Sequence, residues 1–277
     1  MTEELVAGLW VRKRPAVMGI LNITPDSFSD GGRCADHEAA LAHGERLIAA
    51  GADAIDVGGE STRPGAEPVS AAVEAERVTP VIAELARRHP GVVLSVDTSK
   101  PAVARLALDA GAVMVNDVTA GRAPAMLPLV AERGAAVVLM HMRGEPHTMQ
   151  TDTRYTDVVA EVHAFLLERA AAAVAAGISC DCVLLDPGIG FGKDATGNLR
   201  LLHALADLAA LGHPVVIGAS RKSFIGALTG AAVNARLPGS LAAVAGAAAL
   251  PRVLVRVHDV AATVQFLSLL AAIRSAA

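Results

Sequence analysis

Eight times along the chain a short apolar run is followed by a longer, Ala-rich amphipathic stretch, and this alternation constrains the fold more than any other feature. Parallel strands need a crossover between them, usually a helix, so a strand-helix repeat predicts a parallel sheet covered by helices. The apolar runs place strands at Val17–Leu21, Ala54–Val57, Val92–Val96, Val113–Val115, Ala136–Met140, Val183–Leu185, Val215–Ile217 and Val253–Val255. The intervening periodicity places helices at Asp36–Ala50, Ser70–Arg88, Pro101–Ala110, Pro124–Arg133, Asp157–Ala176, Thr196–Leu211, Gly239–Leu250 and Asp259–Ile273. Gly51, Gly111, Gly134, Gly177 and Gly212 each follow a helical stretch, where a left-handed residue ends a helix. No Ser/Gly linker or block of charge divides the 277 residues. A single α/β domain, a (β/α)8 TIM barrel, is therefore expected rather than two doubly wound halves, because such barrels use ~250 residues as one unit. On this reading residues 1–12 are an N-terminal extension and residues 13–277 the barrel domain.

Charge and composition narrow the partners. The 24 basic and 28 acidic residues leave a net charge of −4, which argues against broad attraction to nucleic acid or an anionic membrane. Aromatic residues, at 3%, are too sparse for base-stacking platforms. The longest weakly polar stretch, Leu241–Leu250, is far short of the ~20 residues that cross a bilayer. Glu3 and Glu4 stand where a secretory signal carries positive charge. Cys34, Cys180 and Cys182 lack disulfide-scaffold spacing and read as free thiols of a reducing compartment, so a cytoplasmic location is expected.

In such a barrel the chemistry sits at the C-terminal rim of the strands, where the loops converge. The rim positions here carry Asn22, Asp56 with the loop Gly58-Gly59-Glu60-Ser61-Thr62-Arg63-Pro64-Gly65, Asp97, Asn116, Met140-His141, Asp186, Gly218-Ala219-Ser220-Arg221-Lys222-Ser223 and Arg256-Val257-His258. One Asp or Asn after a strand is usually the N-cap of the next helix. A whole rim of polar residues asks for a ligand.

Gly190-Phe191-Gly192-Lys193-Asp194-Ala195 matches the loose G-x-G-x-x-A pattern of dinucleotide sites. The next strand, Val215–Ile217, does not end in the acidic residue that would hold a ribose, so that reading fails. A phosphate-cradling Walker loop fails too, because Pro187 stands where its first Gly belongs and Asp194 follows Lys193.

Met18-Gly19-Ile20-Leu21-Asn22-Ile23-Thr24-Pro25-Asp26-Ser27-Phe28-Ser29-Asp30-Gly31-Gly32 resembles the first signature of the dihydropteroate synthases. Asp56-Val57-Gly58-Gly59-Glu60-Ser61-Thr62-Arg63-Pro64-Gly65 resembles the second, and Asp186-Pro187-Gly188, Ser220-Arg221-Lys222-Ser223 and Arg256-Val257-His258-Asp259 match later segments. The similarity runs from about Val17 to the C-terminus; Leu250-Pro251-Arg252, Ala120-Gly121-Arg122-Ala123 and residues 1–12 depart from it. The resemblance implies a transferase of folate biosynthesis. It would join p-aminobenzoate to 7,8-dihydropterin-6-ylmethyl diphosphate, with Mg2+, and release 7,8-dihydropteroate and diphosphate. The rivals are a non-catalytic pterin-binding paralogue and a pterin-binding methyl-transfer module, and a homodimer is implied by the family alone.

Carried over residue by residue, Asp97, Asn116, Asp186 and Lys222 would read the pterin, with Val118, Met140 and Phe191 as apolar walls and Gly218 leaving room for the ring. A carboxylate, an amide and a cation suit the donors and carbonyl of an aminopyrimidinone edge. The apolar members also fit ordinary barrel core. Asn22, Thr62, Arg63, Arg256 and His258 would hold the diphosphate, Asn22 as the oxygen ligand of Mg2+, and Asp30 would lie near the metal or Arg63. Phe28, Thr62, Pro64, Lys222 and Ser223 would receive p-aminobenzoate. No nucleophile is needed if diphosphate leaves first. Asp97, Arg63, Lys222, Arg256 and His258 would then act on the charges that develop.

Overall fold

The structure is a computed structural model that describes residues 2–23, 32–61, 67–144, 148–149 and 151–276, the side chains of 32–36 excepted. Eight parallel strands close on themselves in sequence order: β1 Ala16–Asn22, β2 Ala54–Gly58, β3 Val93–Asp97, β4 Met114–Asp117, β5 Ala136–Met140, β6 Val183–Asp186, β7 Val215–Ile217 and β8 Val253–Val257. Both faces of these strands are buried, one by the barrel interior and one by helices, which is why they read as apolar runs rather than as alternating patterns. Several strands run one or two residues past the last apolar residue. Backbone pairing takes no notice of side-chain polarity, so Asn22 pairs with Gly58, Gly58 with Asp97, Asp97 with Asn116, and Met140 with Asp186. The polar residues of the rim therefore stand on the ladder itself.

The helices are α1 Thr2–Gly8, α2 Gly32–Ala49, α3 Ala71–Arg88, α4 Pro101–Asp109, α5 Met126–Glu132, α6 Val158–Ala175, α7 Ala195–His203, α8 Leu205–Ala209, α9 Ser223–Thr229, α10 Leu237–Ala245 and α11 Val260–Ser275. Ser70 and Asp157 cap α3 and α6 by accepting N–H bonds in the first turn. The glycines expected to stop helices all adopt positive φ, from 57° at Gly134 to 113° at Gly111.

Two helical expectations are corrected, and two further helices appear. The stretch Thr196–Leu211 is two helices, broken at Ala204, and Gly239–Leu250 ends in a 310 turn at Gly246–Ala249. The seven-residue α9 and α1 were not anticipated, because neither is long enough to show a helical period. Within residues 1–12, Val6 and Leu9 are buried in the barrel's own core and α1 packs on β5 and the 310 turn Cys180–Cys182. Arg12 and Arg14 then tie the chain to Asp53 at the lower mouth of the barrel. Among the described residues no helix is long and apolar enough to cross a membrane.

Candidate active site

The strand ends converge on a recess of about 340 Å³, its open mouth included. Asp97 ends β3, Asn116 lies on β4 with Val118 just after it, and Met140 ends β5. Asp186 ends β6, with Gly188, Ile189 and Phe191 in the loop beyond; Gly218 and Lys222 follow β7; Arg256 lies on β8. All eight residues that the sequence assigned to a pterin pocket thus share one wall. Arg256, expected on the diphosphate, stands among them.

Arg256 is the hub of the floor. Its Nε donates to Asp56 Oδ2 at 2.6 Å and its Nη2 to Asp97 Oδ2 at 2.7 Å. Asn116 Nδ2 donates to the same Asp56 oxygen at 2.9 Å. Asp56 is fully buried, so it aims both the guanidinium and the amide; its Oδ1 has no partner among the described residues. Asp186 is oriented from the loop, its Oδ1 accepting the Gly188 N–H at 2.7 Å. A β-carbon on Gly218 would lie 3.8 Å from Asp186 Oδ2, so this glycine keeps the space before the carboxylate open. Gly188 has no alternative: at φ +67° a β-carbon would fall 1.9 Å from the His141 carbonyl oxygen. Lys222 Nζ lies 3.9 Å from the centre of the Phe191 ring, a cation–π distance.

Burial sets the protonation of these groups. It pushes the Asp97 carboxyl up to about 7, with Arg256 opposing and Asp56, Glu74 and Asp117 adding to the rise. Asp186 is raised for the same reason, against the Gly188 hydrogen bond and Lys222. Lys222 is pushed down to about 8 by burial and by Arg256, while Asp186 and Asp97 pull it back. Burial also works against the Arg256 charge, but Asp56 and Asp97 outweigh it and the guanidinium stays protonated. With Asp56 beneath the recess, three carboxylates, Asp56, Asp97 and Asp186, stand around two cations, Lys222 and Arg256. That imbalance suits a ligand rich in N–H donors.

Beside the recess, Ser220 Oγ lies 3.1 Å from His258 Nδ1 and accepts the His258 backbone N–H at 3.3 Å. Ser223 opens α9, and Arg221 pairs with Asp259 through Nε at 2.9 Å and Nη2 at 2.5 Å. Asn22 closes β1; a β-carbon on Gly58 would stand 3.4 Å from Asn22 Oδ1 and 3.5 Å from Asp97 Cβ. The missing side chain of Gly58 therefore leaves a gap edged by an amide oxygen and a carboxylate. Phe28, Asp30, Thr62, Arg63 and Pro64 lie outside the described residues.

The chain flanking Thr62 to Pro64 is clasped. Glu60 Oε1 accepts the Val69 N–H at 2.8 Å, and Lys100 Nζ donates to Glu60 Oε2 at 2.9 Å and to the buried Glu74 at 2.6 Å. Sequence reasoning gave Asp56, Glu60, Lys100 and Ser220 no role of their own. For Asp56 a signal existed, since a charge inside an otherwise apolar strand is costly to bury without a task.

The family model for pterin binding enzymes matches residues 18–258. The chain is 47% identical over 262 residues to the dihydropteroate synthase of Escherichia coli (strain K12), covering 95% of this chain and 93% of that protein. It is similar to the solved structure of Xanthomonas albilineans dihydropteroate synthase with 4-aminobenzoic acid, at 52% identity and a TM-score of 0.88 over 95% of this chain and 94% of that one. The structure of the same organism's enzyme in complex with 7,8-dihydropteroate matches at 48% identity and a TM-score of 0.86, covering 98% of both chains.

Proposed function

The chain belongs to the dihydropteroate synthase family of pterin-binding enzymes, and from that premise we propose how its own residues carry the reaction. It is a transferase that condenses p-aminobenzoate with 7,8-dihydropterin-6-ylmethyl diphosphate to give 7,8-dihydropteroate and diphosphate. The observation that carries the assignment of residues is the single recess lined by Asp97, Asn116, Asp186 and Lys222 with Val118, Met140, Phe191 and Gly218. Asp186 accepts from the N–H groups of the aminopyrimidinone edge, and Asn116 offers its amide oxygen while Asp56 holds its nitrogen. Lys222 donates to ring acceptors from its place over Phe191.

The carbon–oxygen bond at the pterin methylene breaks, its electron pair leaving with diphosphate and the positive charge delocalising into the ring. Asp97 and Asp56, one raised and one fully buried, favour that cation. Arg256 and His258, with Arg63, hold the oxygens on which negative charge grows. The p-aminobenzoate nitrogen then attacks the methylene and gives a proton to solvent. Phe28, Thr62, Pro64 and Ser223, with Lys222, form its receiving surface.

The donors present fit Mg2+ only as a shared ligand. Among the described residues no group of three His, Cys, Asp or Glu could hold a metal, and Asn22 Oδ1 at the Gly58 gap is one hard oxygen. Asn22 would hold Mg2+ there together with substrate diphosphate and water, and the ion would neutralise leaving-group charge. Leu199 on α7 with Leu228 and Val233 at α9 and just beyond are exposed apolar residues on adjoining elements, and they support a homodimer. Sedimentation velocity across concentrations checks it; a monomer throughout removes this reading. The free thiols Cys180 and Cys182 suit a cytoplasmic setting. The deciding experiment is formation of 7,8-dihydropteroate from the two substrates with Mg2+. Pterin binding without product would leave only a binding protein.

A further inference from the structure

The stretch Gly190-Phe191-Gly192-Lys193 has the glycines and lysine of a phosphate-binding loop, yet Lys193 is only 3% exposed. Its Nζ lies 2.9 Å from the Phe191 carbonyl oxygen, 3.0 Å from that of Gly188 and 3.2 Å from that of His141, and 3.0 Å from His141 Nδ1. No carboxylate forms an ion pair with it among the described residues. Burial pushes the Lys193 amine down to about 7, with Lys222 and Arg143 adding to the fall and Asp186 opposing it, so holding a charge there is costly unless the fold uses it.

The acceptors show the use. An ammonium has three protons to share among these four acceptors, whereas a neutral amine has two protons and would set its lone pair against an acceptor. Burial and the nearby Lys193 push His141 down to about 3, so its ring is neutral and Nδ1 can accept. The ring is held edge-on to Phe165 at 5.0 Å. Two of the three carbonyls belong to the loop after β6, and His141 belongs to the end of β5. The same loop supplies the Gly188 N–H that orients Asp186 and the Phe191 ring beneath Lys222.

We propose that Lys193 is a positioning residue for the pterin site: it never meets the substrate, but pins the loop after β6 to the end of β5 and so sets Asp186 and Phe191 at their working angles. The inference rests on the assignment of the recess to the pterin. Lys193 does not line that recess.

The test compares the full chain with Lys193→Met and with the milder His141→Phe, which removes one acceptor and leaves the three carbonyls. Calorimetry with 7,8-dihydropterin-6-ylmethyl diphosphate reads the pterin, and the KM for p-aminobenzoate at saturating pterin reads the other substrate. Lys193→Met is expected to weaken pterin binding at least tenfold and leave the KM for p-aminobenzoate within twofold; His141→Phe is expected to lose two- to fivefold on the pterin alone. A Lys193→Met, Phe191→Ala double variant should lose less than the product of the single losses, because both act through one loop. Unchanged pterin affinity in the folded variants, or equal losses for both substrates, overturns the proposal. If Lys193→Met does not fold, His141→Phe decides by the same two readings. Failure of the unaltered chain to bind the pterin would instead overturn the assignment of the recess.

Discussion

Two carboxylate clusters stand at opposite mouths of the barrel and are wired differently. At the lower mouth Asp53 accepts from Arg12 Nε, from two nitrogens of Arg14 and from the Val17 N–H, so each of its oxygens has two donors. At the upper rim Asp56, Asp97 and Asp186 gather around Arg256 and Lys222, one Asp56 oxygen lacks a partner among the described residues, and Asp97 is pushed up to about 7 by burial. The lower cluster is complete without a ligand and pins the N-terminal segment. The upper one departs from complete pairing where a ligand is expected to finish it. Similar residue types thus serve stability in one place and recognition in the other, and the difference lies in whether the donors have been counted out.

Asp53→Ala should give the largest effect, and on stability alone. It strands the Val17 N–H and the mostly buried Arg14 while Arg12 can turn to solvent, so unfolding in denaturant should show a loss of about 3 kcal/mol, the low end for breaking a buried pair. The kcat and both KM values of the folded fraction should stay within twofold. A tenfold fall in kcat would mean that the two mouths are coupled, and the comparison would break.

Arg256→Ala should do the reverse. On the proposed role, losing this donor to the leaving group should lower kcat ~100-fold or more, which is about 2.7 kcal/mol of barrel-rim chemistry. The stability loss should be smaller than for Asp53→Ala, because Asp97 can take up a proton and Asp56 keeps the Asn116 amide once the guanidinium is gone. Arg256 also lines the ring recess, so affinity for a pterin without diphosphate should fall as well. Single-turnover kinetics, calorimetry and denaturation on the one variant separate these effects. Normal turnover with lost ring affinity would make Arg256 a ring binder, with the leaving group left to Arg63 and Mg2+.

How much of this could be read in the sequence follows from which forces leave a local trace. Strands buried on both faces appear as apolar runs, so all eight were legible, and the glycines with positive φ marked the helix ends. The strand ends were not, because Asn22, Asp97 and Asp186 pair through backbone and their polarity hides it. The recess residues came from motif resemblance; nothing in local pattern says that Asn116 and Arg256 meet at Asp56 across 140 residues of chain. The cage around Lys193 was hidden for a related reason. Three of its four partners are backbone carbonyl and carry no sequence mark at all.

Within the upper cluster, Asp186→Ala and Lys222→Ala should each weaken pterin binding at least tenfold, the scale of losing a buried hydrogen bond to a charged group. Neither should unfold the protein, since the neighbours of each can shift protonation to compensate. Calorimetry reads the affinity. Unchanged pterin affinity in both folded variants would mean that the recess serves another ligand, and the upper cluster would need a different reason for its missing donors.

The smallest effect, and the most direct reading of the imbalance, is in pH. Asp97 ordinarily titrates near 3.8 and is pushed up to about 7 in the folded chain. Its protonated form is therefore favoured by folding, so the stability this gives is full below pH ~4 and is lost as pH rises through about 7. The proposed mechanism needs the opposite state, because only the ionised carboxylate favours the pterin cation. The kcat/KM should thus climb from pH 6 and level off above 7, with less than a twofold gain between pH 7 and 8, while denaturation over the same range shows this contribution to stability falling. Asp97→Asn should flatten both limbs at once, at a lower rate throughout. Were the climbing limb to persist in Asp97→Asn, the titrating group would be another carboxyl, Asp186 in the same recess being raised by burial as well. Lys222, pushed down to about 8, would show the opposite sign, since loss of its charge makes activity fall with rising pH.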